Sequence, residues 1–353
     1  MVFLGFGFLA MFLVRYSFSG SAFSLLVASL SVQWAVLLNG FLFAYHRGKI
    51  HIGMHSLATA NLCAASALIS MGAVLGNTNP AHLILMALIE VTGFMANRWI
   101  LQNFFQVPPI NSIMLLHIFG AFFGLSMSRI LYQPGLEPRH EKEKTDKKTT
   151  LFSTIGEEGN GGREVGEDSM ADLSWGTVPM DVLAQFQLGA DRQGLPPKET
   201  VGYLQHVPVH IQNASLAGGV AVGVAMSVVN MPGIAMTTGL LAGLMSSLGF
   251  RYIKPSLQTV FKCRDTCGVL SVHGMPGIMG WLVGFFIRVS SSSEAPELAM
   301  YDPCTLLVTL SLSLCLGACT GFVVKWNLWR PPQDRKCFDD QAFWEFPHLA
   351  VRK

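Results

Sequence analysis

Two histidines lie inside apolar segments of this chain, in two similar motifs. His117 belongs to Leu115-Leu-His-Ile-Phe-Gly-Ala-Phe-Phe-Gly124 and His273 to Ser271-Val-His-Gly-Met-Pro-Gly-Ile-Met-Gly280, and both motifs read His-x6-Gly. An ionisable side chain inside an apolar segment is unfavourable in free energy, so each histidine is a candidate functional residue. Because a neutral imidazole has one donor and one acceptor nitrogen and titrates near neutrality, a facing pair can bind a small N–H species or relay a proton.

Simpler uses of the two histidines stay open at this point. Each imidazole can instead hydrogen-bond a helix backbone or a neighbouring hydroxyl. A metal site is disfavoured, because two imidazoles with no carboxylate or thiolate at matched spacing form a poor ligand set. Apolar surroundings exclude ions, which would lose hydration that no wall group replaces. A passage beside this pair should therefore favour a small neutral molecule.

An acidic residue, Asp265, precedes the second motif. It lies eight residues before His273, which is about 12 Å along a helix. At the start of a helix a carboxylate is favoured by the helix dipole, so Asp265 can cap the helix together with Thr266. The alternative is a polar mouth for a cationic substrate.

The composition indicates which kind of protein positions these residues. The chain has 353 residues, of which 51% are hydrophobic and 13% charged, and a mean hydropathy of +0.43. These values are far from those of soluble domains and predict an all-α polytopic membrane protein. A net charge of +2 is too small to indicate a nucleic-acid partner. The seven cysteines show no repeated Cys-x-x-Cys spacing, so we predict that they are small buried apolar residues.

Nine segments are long or apolar enough to be considered as membrane spans. They lie near 1–14, 22–44, 54–76, 81–101, 111–132, 214–230, 232–250, 266–288 and 302–326. The first is short and begins at Met1, which indicates missing N-terminal sequence. Lys and Arg in the connecting segments predict that the segment after the fifth span and the C-terminal tail are cytoplasmic.

Four regions follow from this pattern. Residues 1–132 form a first repeat, 133–210 a polar and mostly disordered cytoplasmic insert, 211–328 the spans of a second repeat with the last helix, and 329–353 a cytoplasmic tail. Recurrence of the histidine motif in both halves is typical of inverted repeats that share a site near the membrane midplane. Small residues are frequent in the later spans and let helix backbones approach closely.

Six stretches resemble the Rhesus (Rh) glycoprotein branch of the ammonium transporter/Rh superfamily. They are Val2-Phe-Leu-Gly-Phe-Gly-Phe-Leu9, Gly72-Ala-Val-Leu-Gly76, His117-Ile-Phe-Gly-Ala-Phe-Phe-Gly-Leu125, His210-Ile-Gln-Asn-Ala-Ser-Leu-Ala-Gly-Gly-Val-Ala-Val-Gly223, Asp265-Thr-Cys-Gly-Val269 and His273-Gly-Met-Pro-Gly277. The tail Phe338-Asp-Asp-Gln-Ala-Phe-Trp-Glu-Phe-Pro-His-Leu349 is most similar to the non-glycosylated Rh blood-group polypeptides.

The resemblance implies a trimer of helical protomers, each with two inverted five-helix repeats around a narrow hydrophobic pore. The family's twin pore histidines correspond to His117 and His273, and its pore-associated acidic residue in the second repeat to Asp265. The implied substrate is ammonia, which leaves its proton at the mouth and regains it on the far side, and carbon dioxide has been proposed for some members. A multi-pass plasma-membrane protein without a cofactor is expected.

Several positions depart from the family pattern. The acidic residue of the first repeat, eight before His117, is Pro109 here, and one of two phenylalanines that gate the outer pore is replaced by Leu62. Nine spans stand where about twelve are expected, and the family's first helix is missing.

Two functions are therefore weighed. The first is a channel for ammonia or another small neutral gas, with membrane lipid around it. The second is a non-conducting structural subunit that assembles with related Rh chains as a homo- or hetero-trimer and binds a cytoskeletal adaptor through its cytoplasmic tail. An enzyme is not expected, because no nucleophile–base pair or phosphate-binding glycine loop lies at a membrane face.

Overall fold

The computed structural model describes residues 17–132, 197–290 and 296–326, together with Leu328, Asp340 and Trp344. The helices in these ranges are α1 (Ser17–Phe43), α2 (Met54–Val74), α3 (Pro80–Phe104), α4 (Pro109–Met114), α5 (Leu116–Leu131), α6 (Pro197–Ala225), α7 (Pro232–Leu248), α8 (Lys254–Thr259), α9 (Met275–Ser290) and α10 (Pro296–Val324). Two π-helical turns, Gly249–Ile253 and Leu270–Gly274, precede α8 and α9. A short antiparallel pair, β1 (Tyr45–His46) and β2 (Lys49–Ile50), follows α1.

Seven helical segments of the described residues are long and apolar enough to cross a membrane. They are Phe18–Phe43, Met54–Val74, Pro80–Phe104, Pro109–Leu131, Pro232–Thr259, Leu270–Ser290 and Tyr301–Val324. Each coincides with a predicted span, so the prediction of an all-α polytopic membrane protein is confirmed. The predicted span 214–230 falls on the shorter apolar helix Ile211–Ala225. The predicted span 1–14 lies outside the described residues.

The boundary of the polar insert differs from the sequence-based one. We expected disorder to extend to residue 210, whereas α6 begins at Pro197. Proline is well suited to the first helical position, because its missing N–H would have no partner there. Residues 133–196 lie outside the described part of the chain.

The helices pack in two groups that meet at α5. In the first group α5 packs against α2 and α10, and α1 packs against α2 and α3. In the second group α6 packs against α7 and α9. The π-turn Leu270–Gly274 contacts α5, α6 and α9, so it lies where the two groups meet.

Close approach of helices in the first group depends on glycines of α5. A Cβ added at Gly124 would lie 2.8 Å from Ser70 Cα and 2.9 Å from Ser70 O, both backbone atoms of α2. A Cβ added at Gly120 would lie 2.7 Å from the backbone oxygen of Ser66. Backbone atoms cannot be displaced as easily as a flexible side chain. The sequence predicts such close packing for the small residues of the later spans, whereas these two glycines lie in α5.

A buried carboxyl joins three of these helices. Glu90 of α3 is completely buried, and its Oε1 lies 2.9 Å from Ser66 Oγ and 2.7 Å from Ser70 Oγ. Ser70 Oγ also lies 2.7 Å from the backbone oxygen of Gly120. Ser70 Oγ therefore lies between the carboxyl of Glu90 on α3 and the backbone of α5. The cluster links α2, α3 and α5 through hydrogen bonds.

The C-terminal tail contacts the start of the first helix. Asp340 accepts hydrogen bonds from the backbone N–H groups of Phe18 and Ser19, each at 2.9 Å, and Trp344 Nε1 donates to Ser19 Oγ at 3.2 Å. The first N–H groups of a helix have no partner within the helix, and a carboxylate there is also favoured by the helix dipole. This part of the tail thus caps α1.

The cysteines differ in part from the prediction. Cys63 and Cys263 are buried and Cys267 is half-buried, but Cys304, Cys315 and Cys319 are exposed in the protomer. All three lie on α10, at the outside of the bundle. Because cysteine is a small hydrophobe, its side chain is compatible with lipid as well as with a protein core. Cys337 lies outside the described residues.

Substitution of Gly124 by alanine tests the close approach of α5 and α2. We expect Gly124→Ala to lower the free energy of unfolding by about 1–3 kcal/mol, because the added methyl group meets backbone atoms. Gly233→Ala is the matched control, since a Cβ there meets nothing within 4 Å. The midpoint of thermal unfolding is measured for both variants and the wild type after purification in detergent. Equal midpoints for the two variants would contradict the packing described.

Candidate functional site

The two histidines of the repeated motifs are in direct contact. His117 Nδ1 and His273 Nδ1 lie 3.3 Å apart, and the two ring planes are parallel within 4°. Both residues are buried, with 3% and 5% of their surface exposed. The sequence separation is 156 residues. The contact therefore joins the two groups of helices.

Each histidine lies beside an irregularity of the helix that carries it. His117 is the second residue of α5, which begins directly after Leu115 at the end of the short helix α4. His273 lies in the π-turn Leu270–Gly274 that leads into α9. π-turns are rare and occur often at functional sites, because they re-aim a side chain that a regular helix would point elsewhere.

A glycine permits the close packing of α9 on α5 next to the histidines. A Cβ added at Gly277 would lie 2.9 Å from Ile118 Cγ1 and 3.7 Å from His117 Cβ. A larger residue at this position would push α9 away from α5. Because His273 is only four residues before Gly277, that displacement would also separate the two imidazoles.

The Nδ1–Nδ1 contact restricts the tautomers of the pair. One Nδ1 must carry the hydrogen and the other must accept it, so the two neutral rings are in opposite tautomers. The Nε2 atom of the first ring is then an acceptor and that of the second ring a donor. Within the described part of the chain neither Nε2 has a hydrogen-bond partner. The pair therefore offers one acceptor and one donor to a third molecule.

Asp265 lies outside the membrane-spanning helices and accepts two backbone hydrogen bonds. Its Oδ1 accepts from the N–H of Val269 at 2.8 Å, and its Oδ2 from the N–H of Leu270 at 2.9 Å. Burial is the largest influence and raises the pKa of Asp265, while Lys254 and the backbone N–H groups act in the opposite direction. Both oxygens are thus used to hold the start of the π-turn. Among the described residues, no contact joins this carboxyl to either imidazole.

The loop around Asp265 is fastened to the first group of helices. Thr266 Oγ1 donates to the backbone oxygen of Leu75 at 2.8 Å, and the N–H of Cys267 donates to the backbone oxygen of Gly72 at 3.1 Å. Ser128 Oγ donates to the backbone oxygen of Arg264. Lys254 Nζ donates to the backbone oxygen of Thr266 at 3.0 Å. These bonds determine where the π-turn with His273 begins.

The other two positions singled out in the sequence are not part of the histidine contact. Leu62 of α2 is half-buried and packs against the hydrophobic core of the first helix group. Pro109 is the first residue of α4, where proline is favoured, and it provides no carboxylate at this position. The structure thus brings together His117 and His273, and it leaves Asp265, Leu62 and Pro109 apart from them.

Buried charged residues inside predicted spans were missed in the sequence, and two of them lie on one helix. Glu90 and Arg98 both lie on α3, with 0% and 4% of their surface exposed. Charged side chains inside a predicted span, 81–101, were the available signal. Average hydropathy hides them, because their apolar neighbours dominate the mean over a span.

No group of three or more His, Cys, Asp or Glu side chains that could hold a metal ion occurs in the described part of the chain.

Replacement of Asp265 separates its two interpretations. If the carboxyl serves to hold the π-turn, Asp265→Ala lowers the free energy of unfolding by about 1–2 kcal/mol, because two backbone N–H groups lose their acceptors. Asp265→Asn keeps one acceptor oxygen and is expected to have an intermediate effect. Chemical unfolding of the purified protein is the measurement. An unchanged stability of Asp265→Asn with a reduced ammonium-driven flux would instead indicate a mouth residue.

Comparison with known proteins places these features in a family. The family model described as Ammonium Transporter Family matches residues 1–157 and 203–329. The unmatched stretch between them falls inside the polar insert. Ammonium transporter Rh type B of Xenopus tropicalis is 38% identical over 377 residues, which cover 98% of this chain and 80% of that protein. The Rattus norvegicus protein of the same name is 37% identical over 382 residues, with 98% and 81% covered.

Solved structures agree with the sequence comparison. The Rh50 protein of Nitrosomonas europaea, described as a conducting channel of the Rhesus protein family, has a TM-score of 0.79 and 26% identity and covers 99% of this chain and 92% of its own. A sensor Amt protein has a TM-score of 0.70 at 15% identity and shares the fold, with 96% and 92% covered. The sequence match in both halves of the chain and the shared fold show that this protein belongs to the ammonium transporter (Amt/Rh) family, a family of membrane transporters and channels rather than enzymes.

Proposed function

We propose that this chain conducts ammonia across the membrane and that His117 and His273 line its path. The observation that carries the proposal is the buried contact of two imidazoles whose outer nitrogens have no partner in the described part of the chain. Ammonia has an N–H to donate and a lone pair to accept with. It can therefore bond both the acceptor and the donor nitrogen of the pair.

The surroundings of the pair favour a neutral species over an ion. Both rings are buried, next to Gly277 and the apolar Ile118. An ammonium ion entering this region would lose several hydrogen bonds to water and would regain at most one from a neutral imidazole pair. Ammonium must then release its proton before it passes the histidines. Carbon dioxide has no N–H or O–H donor, so it can use only the donor nitrogen, and we name it as the competing substrate.

Roles for the remaining positions follow from their contacts. We assign Asp265 to positioning, since its oxygens hold the start of the π-turn with His273. Leu62, on α2, is assigned to the outer approach by analogy with the family, and its smaller side chain would leave more room there than a phenylalanine. Assembly as a trimer in the plasma membrane is proposed by analogy with the family.

The alternative function is a non-conducting subunit of an Rh complex with a cytoskeletal partner. Pro109 favours it, because the first repeat has no carboxylate there to attract a cation. The shared fold and the retained histidine contact favour conduction. Transport by the purified chain decides between the two.

Substitution of one histidine is the test of conduction. Proteoliposomes with the wild-type protein should alkalinise faster than empty liposomes after an inward ammonium gradient is applied. We expect His273→Leu to slow the protein-dependent rate by about tenfold, since loss of one hydrogen bond in the path raises the barrier by roughly 1–1.5 kcal/mol. A lumenal pH dye in stopped flow measures the rate.

The matched control is His55→Leu, because His55 is an exposed histidine at the start of α2. Its rate should equal that of the wild type. A wild-type rate equal to that of empty liposomes would contradict conduction, and the non-conducting structural subunit would then be the remaining function. If the protein speeds acidification in a carbon dioxide gradient relative to empty liposomes, and does not change the rate in the ammonium gradient, carbon dioxide is the substrate.

A further inference from the structure

The helical segment Pro232–Thr259 is longer than the hydrocarbon core of a membrane. Its 28 residues span about 42 Å at 1.5 Å per residue, against about 30 Å of hydrocarbon. Arg251 is its first charged residue, and Lys254 is the second. The uncharged part that ends at Phe250 therefore fills the hydrocarbon, and the turns from Arg251 onward lie at the level of the lipid headgroups.

Apolar side chains are exposed at this headgroup level. The exposed fraction is 59% for Tyr252, 71% for Val260 and 61% for Phe261. None of the residues of α8, which lies between Tyr252 and Val260, is buried. Aromatic residues are enriched where a membrane meets water. Residues 251–262, here called the interfacial segment, thus present an apolar surface that the protomer leaves uncovered.

Basic side chains lie beside this apolar surface. Arg251 and Lys262 are exposed, and the sequence from Arg251 to Arg264 contains no Asp or Glu. Arg129 of α5 is exposed at the same end of the bundle, where its neighbour Ser128 donates to the backbone oxygen of Arg264. Within the described part of the chain, none of Arg129, Arg251 and Lys262 forms an ion pair. Three cations are thus available to an anionic partner at this end.

We propose that the interfacial segment binds an anionic phospholipid of the leaflet on this side of the membrane. The phosphate and the acidic headgroup accept hydrogen bonds from Arg251 and Lys262, while Tyr252, Val260 and Phe261 contact the upper part of the acyl chains. Basic clusters directly beside a membrane span are attracted to anionic lipid surfaces, and each Lys or Arg adds to the attraction. The basic residues also predict that this side is cytoplasmic, and the cytoplasmic leaflet is the one that carries anionic lipid.

A lipid fits this surface better than a second copy of the chain or an acidic peptide. The acidic side chains whose surroundings the structure describes are Glu90, Asp265, Asp302 and Asp340, and all four are buried. In the described part of the chain, a second copy therefore has no exposed carboxylate to offer. A soluble acidic peptide could pair with the cations, but it would leave the ring of Phe261 in contact with water.

The interfacial segment is connected to the loop that leads to His273. Lys254 Nζ donates to the backbone oxygen of Thr266 at 3.0 Å. The preceding residue, Asp265, accepts from the N–H groups at the start of the π-turn. A lipid that holds α8 at the headgroup level also holds this loop, so we expect it to stabilise the position of His273. That consequence for conduction rests on the proposed function, whereas lipid binding itself does not.

Thermal unfolding of the full-length protein in mixed lipid–detergent micelles tests the binding without ammonia. Phosphatidylserine replaces phosphatidylcholine stepwise at constant total lipid and constant ionic strength. We expect the unfolding midpoint of the wild type to rise saturably with phosphatidylserine, by about 3–5 °C when this lipid far exceeds its dissociation constant. The double variant Arg251→Gln with Lys262→Gln should lose most of this rise, because the headgroup loses two charged donors.

The matched control is the double variant Arg47→Gln with Lys49→Gln, which removes two exposed cations from the hairpin before α2. This hairpin lies at the other end of the bundle, because Leu75, just after the end of α2, contacts Thr266. The control should retain the full rise. An equal rise in the Arg251→Gln, Lys262→Gln variant and the wild type would overturn the proposal, as would a wild type without a rise.

Glycerol phosphate, titrated over the same concentrations, separates a lipid from free phosphate. It carries the charged group without acyl chains, so we expect it to leave the midpoint unchanged. A rise as large as that with phosphatidylserine would show an anion site without a lipid and would contradict the proposal. Phe261→Ser keeps every cation but removes an apolar contact, and it should reduce the rise with phosphatidylserine. Since none of these measurements involves transport, their outcome is independent of whether the chain conducts ammonia.

Discussion

Polar groups buried in a membrane-embedded bundle must find their partners within the protein, and this constraint governs the arrangement of the helices here. Water is absent from the hydrocarbon region, so an unpaired polar group there loses several kcal/mol relative to a paired one. Ser66 and Ser70 bind Oε1 of Glu90 between α2, α3 and α5, although Glu90 Oε2 has no hydrogen-bond partner in the described part of the chain. Asn97 and Thr309 bind each other between α3 and α10.

The same constraint applies to the histidine pair at the boundary between the two helix groups. Each imidazole satisfies one nitrogen of the other, and this contact is possible because Gly277 lets α9 approach α5 and the π-turn aims His273 inward. The loop that precedes the π-turn is bonded to backbone atoms of α2 and α5 through Thr266, Cys267 and Ser128. In the proposed function, the contact that joins the two groups also leaves two nitrogens for a substrate.

How much of this could be read from the sequence depends on the range of the interaction. The spans follow from local composition, and seven of the nine predicted ones coincide with long apolar helices. The pairing of His117 with His273 could be anticipated because one motif occurs twice. Capping of a helix start by Asp265 was one of the two uses that the sequence allowed, but the π-turn that it holds is not visible in residue types. Glu90 and Arg98 were overlooked because one charge hardly changes the mean hydropathy of a span. Exposure of the cysteines on α10 depends on which face of that helix packs inward, and its apolar residues lie on all sides.

A double-mutant cycle on ammonia flux tests the central claim most directly, namely that the two imidazoles act as one hydrogen-bonded unit. Protein-dependent alkalinisation rates would be compared for the wild type, His117→Leu, His273→Leu and the double variant, at matched protein content of the liposomes. If the pair is a unit, the double variant should be no slower than the slower single variant, because the first substitution already removes the contact. Rates in the double variant that fall by the product of the two single effects would show that the histidines act independently and would contradict the account.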